Sequence, residues 1–377
     1  MQPKEAIARL RRLVRQLVTD RVVDRPTFKV WKKANAEFVA DCLDYYAQPG
    51  QPAAHDCLDA DFHPDLPLII LNYTGVAHNT LHNFERGWTL PLMFARGIRF
   101  TRRGALNALP FPKFHNYGQL TTPFVPPVGP IEVTEKLDGH CLIISYCGDQ
   151  LIVATRGRFM SPTAILARPI LQEFAAVNQW SKIFPRDHTV ICELIHPETR
   201  VHVDYFGQVS FPLIGAMSHR RAGDYDYSAL RQLGQRLNLP IVPSHSFSSV
   251  EQLARHLGDT TIENREGFVA RFADGTRLKF KFDTYLRLMF ENKLSRVWVM
   301  HRLMAGNLDD ALPVLSADQA ELARRYAADA LAVCQFVGTP KERWRFLYGA
   351  VPAEDGTPNY RATCRDFVRW LDQQEQQ

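Results

Sequence analysis

Apolar residues recur at helical spacing over residues 4–19, where Ile7, Leu10, Leu13, Val14 and Leu17 stand between arginines, so this stretch predicts a helix with one buried stripe. Residues 48–67, rich in Pro, Ala, Asp and His, read as loop, and Leu68 to Asn72 as a short apolar strand. Between 92 and 160 the period shortens to that of strands. Pro110, Pro112, Pro123, Pro126 and Pro127 break the chain, after which Ile131 to Lys136, Cys141 to Tyr146 and Leu151 to Thr155 alternate. Asp138-Gly139 and Gly148-Asp149 fall where tight hairpin turns belong. Residues 189–194, 201–206 and 209–216 predict further strands, 164–178, 226–237 and 249–257 predict helices, and 266–285 returns to strand. After about residue 290 the texture is helical to the end, including 317–336 and 359–374, with no internal repeat.

The hairpin at 266–283 can be read to its register, because alternation sorts its side chains onto two faces. If Ala273-Asp274-Gly275 is a three-residue loop with Gly275 left-handed, Phe272 faces Thr276 and Val269 falls opposite Lys279. One face then carries Phe268, Ala270, Phe272, Leu278, Phe280 and Phe282, and the other Val269, Arg271, Arg277, Lys279 and Lys281. The two lysines stand about 6.6 Å apart at two strand rises, a spacing able to grip a phosphate, and Val269 has the size to pack under a purine. Strict alternation would turn Glu266 toward the core, but Gly267 permits a bulge that re-aims its carboxylate. Read alone, such a hairpin equally suits an ordinary amphipathic surface with solvated cations.

Composition narrows the class. The chain has 377 residues, enough for one large domain and a smaller one, and its 46% hydrophobic content can fill a real core. A net charge of +5 fits a polyanionic partner without requiring one. Seven cysteines include no Cys-x-x-Cys pair, and the odd count argues against a secreted disulfide framework, so buried thiols and an intracellular, cytoplasmic setting are expected. No apolar run has the length to cross a bilayer, and no membrane partner is expected. Neither a Gly-x-x-x-x-Gly-Lys-Ser/Thr loop nor a His-Glu-x-x-His or paired-cysteine zinc pattern occurs. His202-Val-Asp204 on an expected strand is a weak metal signal.

The candidate nucleophile is Lys136 in Lys136-Leu-Asp138-Gly139. A lysine attacks only as the free amine, against an ordinary pKa of about 10.4. Partial burial together with neighbouring cations such as Lys279, Lys281 or Arg96, or a bound Mg²⁺, would push it toward losing its proton. The same cations would stabilise charge on a phosphate under attack.

With these residues in order, the chain resembles the covalent nucleotidyltransferase superfamily, and within it the phage-type single-strand RNA ligase 1 family. The superfamily pattern is met by Lys136, by Glu193 in Ile-Cys-Glu-Leu-Ile, by Glu266-Gly-Phe-Val269 and by Lys279-Phe-Lys281. Closer to the RNA-ligase branch are Ala95-Arg96-Gly97-Ile98, Lys113-Phe114-His115-Asn116, Thr155-Arg156-Gly157, Pro197-Glu198-Thr199-Arg200-Val201 and Asp283-Thr284-Tyr285. Departures are His115, where a second aromatic is usual, and Arg156, where lysine is usual. The resemblance implies an α+β fold, a nucleotidyltransferase core of antiparallel sheets flanked by helices over 1–290, and an all-helical domain over 291–377.

It further implies that Lys136 forms a lysyl-AMP from ATP, with Lys279 and Lys281 acting at the α-phosphate. Glu193 would receive the ribose hydroxyl, and Arg96, Lys113 and Arg156 the outer phosphates or the RNA end. Glu135, Val269 and Tyr285 would complete the nucleotide site, and Glu266 and Asp138 would serve Mg²⁺ or Mn²⁺. The implied reaction passes AMP to an RNA 5′-phosphate, after which a 3′-hydroxyl attacks and releases AMP. The substrate would be single-stranded RNA or nicked tRNA. A DNA ligase or a capping enzyme would share the core residues but usually appends an oligonucleotide-binding barrel. A non-catalytic RNA-binding protein on the same scaffold is the alternative of another class.

Overall fold

Leu68, Ile69, Ile70 and Leu71 are all fully buried because their strand is covered on both sides. Ile69 and Leu71 join a core with Leu10, Leu13 and Phe100, and Leu68 and Ile70 meet Ile152, Ala154 and Phe159. A strand in that position has no solvent face, which explains an unbroken apolar run. The computed structural model describes residues 1–81, 84, 87–117, 131–257, 262–286, 294–306, 308–312, 315, 317–335, 338–350 and 360–374.

The helix Pro3–Thr19 forms as its pattern predicts, with Ile7, Leu10, Leu13, Val14 and Leu17 turned inward. It packs against a four-stranded antiparallel meander of β1 (Leu58–Phe62), β2 (Leu68–Tyr73), β3 (Arg96–Thr101) and β4 (Leu106–Ala108). Expecting 48–67 to be loop overlooked β1, whose Leu58, Ala60 and Phe62 do alternate, but with two aspartates between them. Asp59 is held by Arg25 at 2.8 Å and Arg158 at 3.1 Å, and Asp61 accepts the Phe159 amide at 2.9 Å, so both carboxylates are used in structure.

Further along come β5 (His115–Asn116), β6 (Glu132–Lys136), β7 (His140–Cys147), β8 (Gln150–Ala154) and β9 (His188–Leu194). After them come β10 (Leu213–Ser218), β11 (Gly223–Asp224), β12 (Ser244–His245), β13 (Gly267–Arg271) and β14 (Arg277–Lys281). They build two sheets, ordered β11-β10-β9-β7-β8 and β12-β6-β13-β14-β5. Pairing is antiparallel except between β14 and β5. The fold is therefore α+β with antiparallel sheets. The helices Pro162–Val177 and Tyr227–Leu237 bury Ala167, Leu171, Leu230, Leu233 and Leu237 against Leu142, Ile144, Val190 and Cys192 of the first of these sheets, closing its outer side.

Gly148-Asp149 is the two-residue hairpin turn expected, with Cys147 facing Gln150. Asp138-Gly139 is not a hairpin. β6 belongs to one sheet and β7 to the other, so the chain crosses between sheets at Leu137 to Gly139. Residues 201–206 are also not a strand. Their backbone is a sequence of bends whose amides are taken up by side chains, which removes the setting assumed for His202 and Asp204 as a metal pair. Pro123, Pro126 and Pro127, and the helix ends expected at Phe336 and Asn359, lie outside the described residues.

The chain forms two compact units, Met1–Leu257 with Asn264–Lys281, and Gly258–Glu263 with Phe282–Gln377. In the second, the helices Arg296–Met304, Ala317–Leu331, Pro340–Ala350 and Tyr360–Gln374 bury Met300, Ala330, Leu347, Phe367 and Val368 together. Its described residues contain no strand.

Candidate active site

Three strands set the face that carries the chemistry. Lys136 pairs with Gly267 and Gly267 with Lys281, while Val269 stands between Thr134 and Lys279. Residues in register across a ladder project to the same side, so Thr134, Lys136, Val269, Lys279 and Lys281 share one face. The opposite face holds Phe268, Ala270, Leu278 and Phe280, each at most 2% exposed. The hairpin has the predicted register, with the Phe272 amide donating to Thr276 at 2.9 Å and Gly275 at φ +85°.

Gly267 re-aims Glu266 without a bulge. The ladder starts at this glycine and shows no register shift, and the glycine takes φ +148°. A Cβ there would lie 1.9 Å from the Phe280 carbonyl oxygen, which leaves glycine alone able to fill the position. Glu266 is consequently buried under the face, where its Oε2 accepts from Lys136 Nζ at 2.7 Å and its Oε1 from Lys281 Nζ at 2.9 Å.

The crossing at 137–139 brings the second sheet to this group. His140 pairs with Leu194 and Cys141 with Glu193. A Cβ on Gly139 would meet the Leu194 carbonyl oxygen at 2.2 Å, so the close approach of the two strands requires this glycine. Its amide donates to Glu193 Oε1 at 3.2 Å. Burial raises the Glu193 carboxyl to about 7, against the opposing pull of Lys136. Burial pushes Lys136 downward, but the carboxylates of Glu266 and Glu193, the hydrogen bond to Glu266, and Asp138 outweigh it and hold the ammonium above the ordinary lysine range. This corrects the expectation that neighbouring cations free the amine: acids dominate its surroundings.

Lys279 has the opposite environment. Burial first, then Arg96, Lys136, Lys113 and Lys281, hold its pKa well below the ordinary value. Its Nζ lies 4.8 Å from the centre of the Phe114 ring, over which Arg96 also lies at 5.7 Å. Lys113 is 5% exposed and is lowered to about 8 by burial, Arg96 and Arg156. Its Nζ sits 4.6 Å from the Trp88 ring and 5.7 Å from that of Tyr73, whose hydroxyl accepts from Arg156 Nη1 at 2.7 Å. No ion pair joins Arg96, Lys113, Arg156 or Lys279 to a carboxylate among the described residues. Aromatic faces stand in for acids, which lets mutually repelling cations persist in a small volume. Such a cluster has the chemistry to take an anion.

Arg96, Lys136, Gly139, Cys141, Glu193, Val269 and Lys279 line one cleft of about 230 Å³, together with Phe111, Phe114, Ile214, Gly215, Tyr225 and Tyr227. At one end Arg271 bridges Asp224 at 2.8 Å and Glu132 at 3.2 Å, and Arg277 pairs with Asp224 while lying over Phe111. Sequence reading found neither this network nor Tyr73 and Trp88, whose strands and loops lie far from the motifs along the chain and carry no local signal.

Glu135 also lines the cleft, and its carboxylate pairs with Arg265. Other predicted residues have different surroundings. Asp138 is 6% exposed, and its Oδ2 accepts the amides of His202 at 2.7 Å and Val203 at 2.8 Å, so the structure uses it to hold a loop. Tyr285 is buried and belongs to the second unit. Among the described residues no three His, Cys, Asp or Glu side chains gather as a metal cage. Glu266 and Glu193 fit a magnesium-class ion only where phosphate oxygens and water complete its shell, which is how that ion is commonly bound.

Residues 129–285 match the model of the RNA ligase family. No curated protein matches the chain significantly. Among solved structures it is similar to an RNA ligase of Naegleria gruberi with PPi, at 19% identity and a TM-score of 0.35 over 41% of this chain and 50% of that one. A lysine-to-alanine variant of that ligase with ATP and Mn gives 22% identity and a TM-score of 0.35 over the same shares. The chain thus spans about half the length of these solved relatives. Lys136, Glu193, Glu266, Lys279 and Lys281 all fall inside the matched segment, and it is to the RNA ligases, of nucleotidyltransferase type, that this chain is similar.

Proposed function

We propose that the chain is an ATP-dependent RNA ligase that joins a 5′-phosphate to a 3′-hydroxyl through lysyl-AMP and RNA-adenylate. The observation that carries this reading is the convergence of one lysine with two acids, Glu266 and Glu193, and, on the same cleft, of Arg96 and Lys279, which no carboxylate pairs among the described residues. ATP has the complementary chemistry. Its phosphates suit Arg96, Lys113, Arg156 and Lys279, its base suits the gap lined by Val269, Ile214 and Phe111, and its ribose suits Glu193.

In the first transfer the uncharged Lys136 amine attacks the α-phosphorus. A P–N bond forms, the P–O bond to the β-phosphate breaks, and pyrophosphate leaves. Glu266 Oε2, 2.7 Å from Nζ, is the nearest base for the departing proton, and Lys279 stabilises charge on the phosphate oxygens. The RNA 5′-phosphate oxygen then attacks the same phosphorus and frees Lys136, and the 3′-hydroxyl finally displaces AMP. A divalent ion bound with the nucleotide would supply further charge neutralisation. The helical second unit supports an RNA ligase over ligases and capping enzymes that append a barrel.

Incubation with ATP labelled at the α-phosphate, followed by denaturation, tests the reading. Label should stay on the wild-type chain and be absent from Lys136→Ala. Label surviving in that variant, or a labelled enzyme unable to join 5′-phosphorylated RNA, rejects it.

A further inference from the structure

Phe206 is 88% exposed, the most exposed of the large apolar side chains described. Its backbone is left-handed at φ +53°, a conformation that bulky residues rarely adopt unless the surroundings impose it. Here they do. The Phe206 amide donates to Asp204 Oδ1 at 2.8 Å, and Arg200 holds the other oxygen of that carboxylate at 3.0 Å. The Asp204 amide donates to Asn264 Oδ1 at 2.7 Å, and Asn264 Nδ2 returns a bond to the Asp204 carbonyl at 2.8 Å. The Tyr205 hydroxyl accepts the Asp138 amide at 2.9 Å, while the Asp138 carboxylate accepts the amides of His202 and Val203. The ring is therefore held out in water by a braced loop.

The braces attach to the reaction site. Asp138 is two residues from Lys136 and Asn264 two from Glu266, so the loop is anchored on both sides of the lysine–glutamate pair. Gly139 lines the nucleotide cleft and also the cavity beneath this loop, which reaches Gly207 and Gln208. The lysine and the loop thus border two cavities that share Gly139. Arg200, Asp204 and Gln208 line the cavity beneath the loop, and Val201 and Val209 are part-exposed on either side of it in sequence. A single ring this exposed, held rigid and flanked only by two small valines, suits the face of one base, whereas a protein partner would need a broader apolar surround.

We propose that Phe206 is a base-stacking residue for the RNA strand entering the site, engaging one of the first few nucleotides from the end to be joined. This rests on the RNA-ligase reading and names a substrate contact within it.

The test measures binding of a 5′-phosphorylated oligoribonucleotide by fluorescence anisotropy, with abasic substitutions moved one position at a time from the 5′ end. Phe206→Ala should weaken binding about tenfold, the scale of one lost stack, and Phe206→Trp should restore it. One abasic position should cost the wild type the same factor and cost Phe206→Ala nothing. Equal affinity of wild type and Phe206→Ala overturns the proposal and leaves the ligase reading intact. So does a loss that no abasic position shares, or one that Phe206→Trp fails to restore. A wild type that binds no RNA overturns both.

Discussion

Lys136 Nζ lies 2.7 Å from Glu266 Oε2, and the other oxygen of that carboxylate holds Lys281 at 2.9 Å. Two strands of one sheet thus share a single buried counter-charge, and the would-be nucleophile rests as an ammonium. Replacing Glu266 by Gln removes the strongest force holding that proton, so the Lys136 titration midpoint should fall. Its reactivity toward an amine-modifying reagent as a function of pH measures this. An unchanged midpoint would mean that Glu193 and Asp138 suffice.

Glu193 gives a pH signature in stability. Its folded value of about 7 exceeds the ordinary 4.5, so the folded chain binds this proton more tightly than the unfolded one. Stability from this group is full below about pH 4.5 and is lost as pH rises through about 7. Glu193→Gln should therefore gain on the wild type between pH 5 and pH 8 by on the order of 3 kcal/mol, read from urea midpoints at the two values. Parallel curves would contradict the burial argument.

The hairpin 266–283 was legible because one face is uniformly apolar, which pins register without knowledge of the rest of the chain. Asp138-Gly139 was misread because turn chemistry is the same whether the next strand joins its predecessor or another sheet. Only the clash of a Cβ with Leu194, a residue distant in sequence, reveals why glycine stands there. The alternation at 201–206 misled for a related reason: Asp138 and Asn264 claim the amides a sheet would have used. Candidate acids and lysines could be named from motif order, but their protonation could not, since it depends on which charges folding brings near.

Lys279 should trade stability for activity. Its pKa is depressed, so its folding contribution is favourable above about 10.5 and is lost as pH falls. Lys279→Met should accordingly be more stable than the wild type at pH 7, with the gap closing as pH rises toward the ordinary lysine value, read from urea midpoints. Adenylylation should fall by about 10²-fold or more. A destabilised variant would show that the cluster is internally compensated.

Gly267→Ala tests the backbone that aims Glu266. The added methyl meets the Phe280 carbonyl at 1.9 Å, so β13 and β14 must separate or rotate. Unfolding free energy should drop by about 3 kcal/mol, and AMP capture should be lost even where the variant remains folded. Full capture by a folded variant would dissociate the glycine from the carboxylate.

Lys136 ends β6, and three residues later Gly139 touches the neighbouring sheet so tightly that no side chain fits between them. The Lys136 amine thus sits at the last paired residue of one layer, beside the seam with the other. Small shear between the layers would alter its distance to Glu193 on one bank while leaving Glu266 on the other bank in step. The width of that seam, fixed where Gly139 admits no Cβ, therefore bounds the space between the amine and the second sheet.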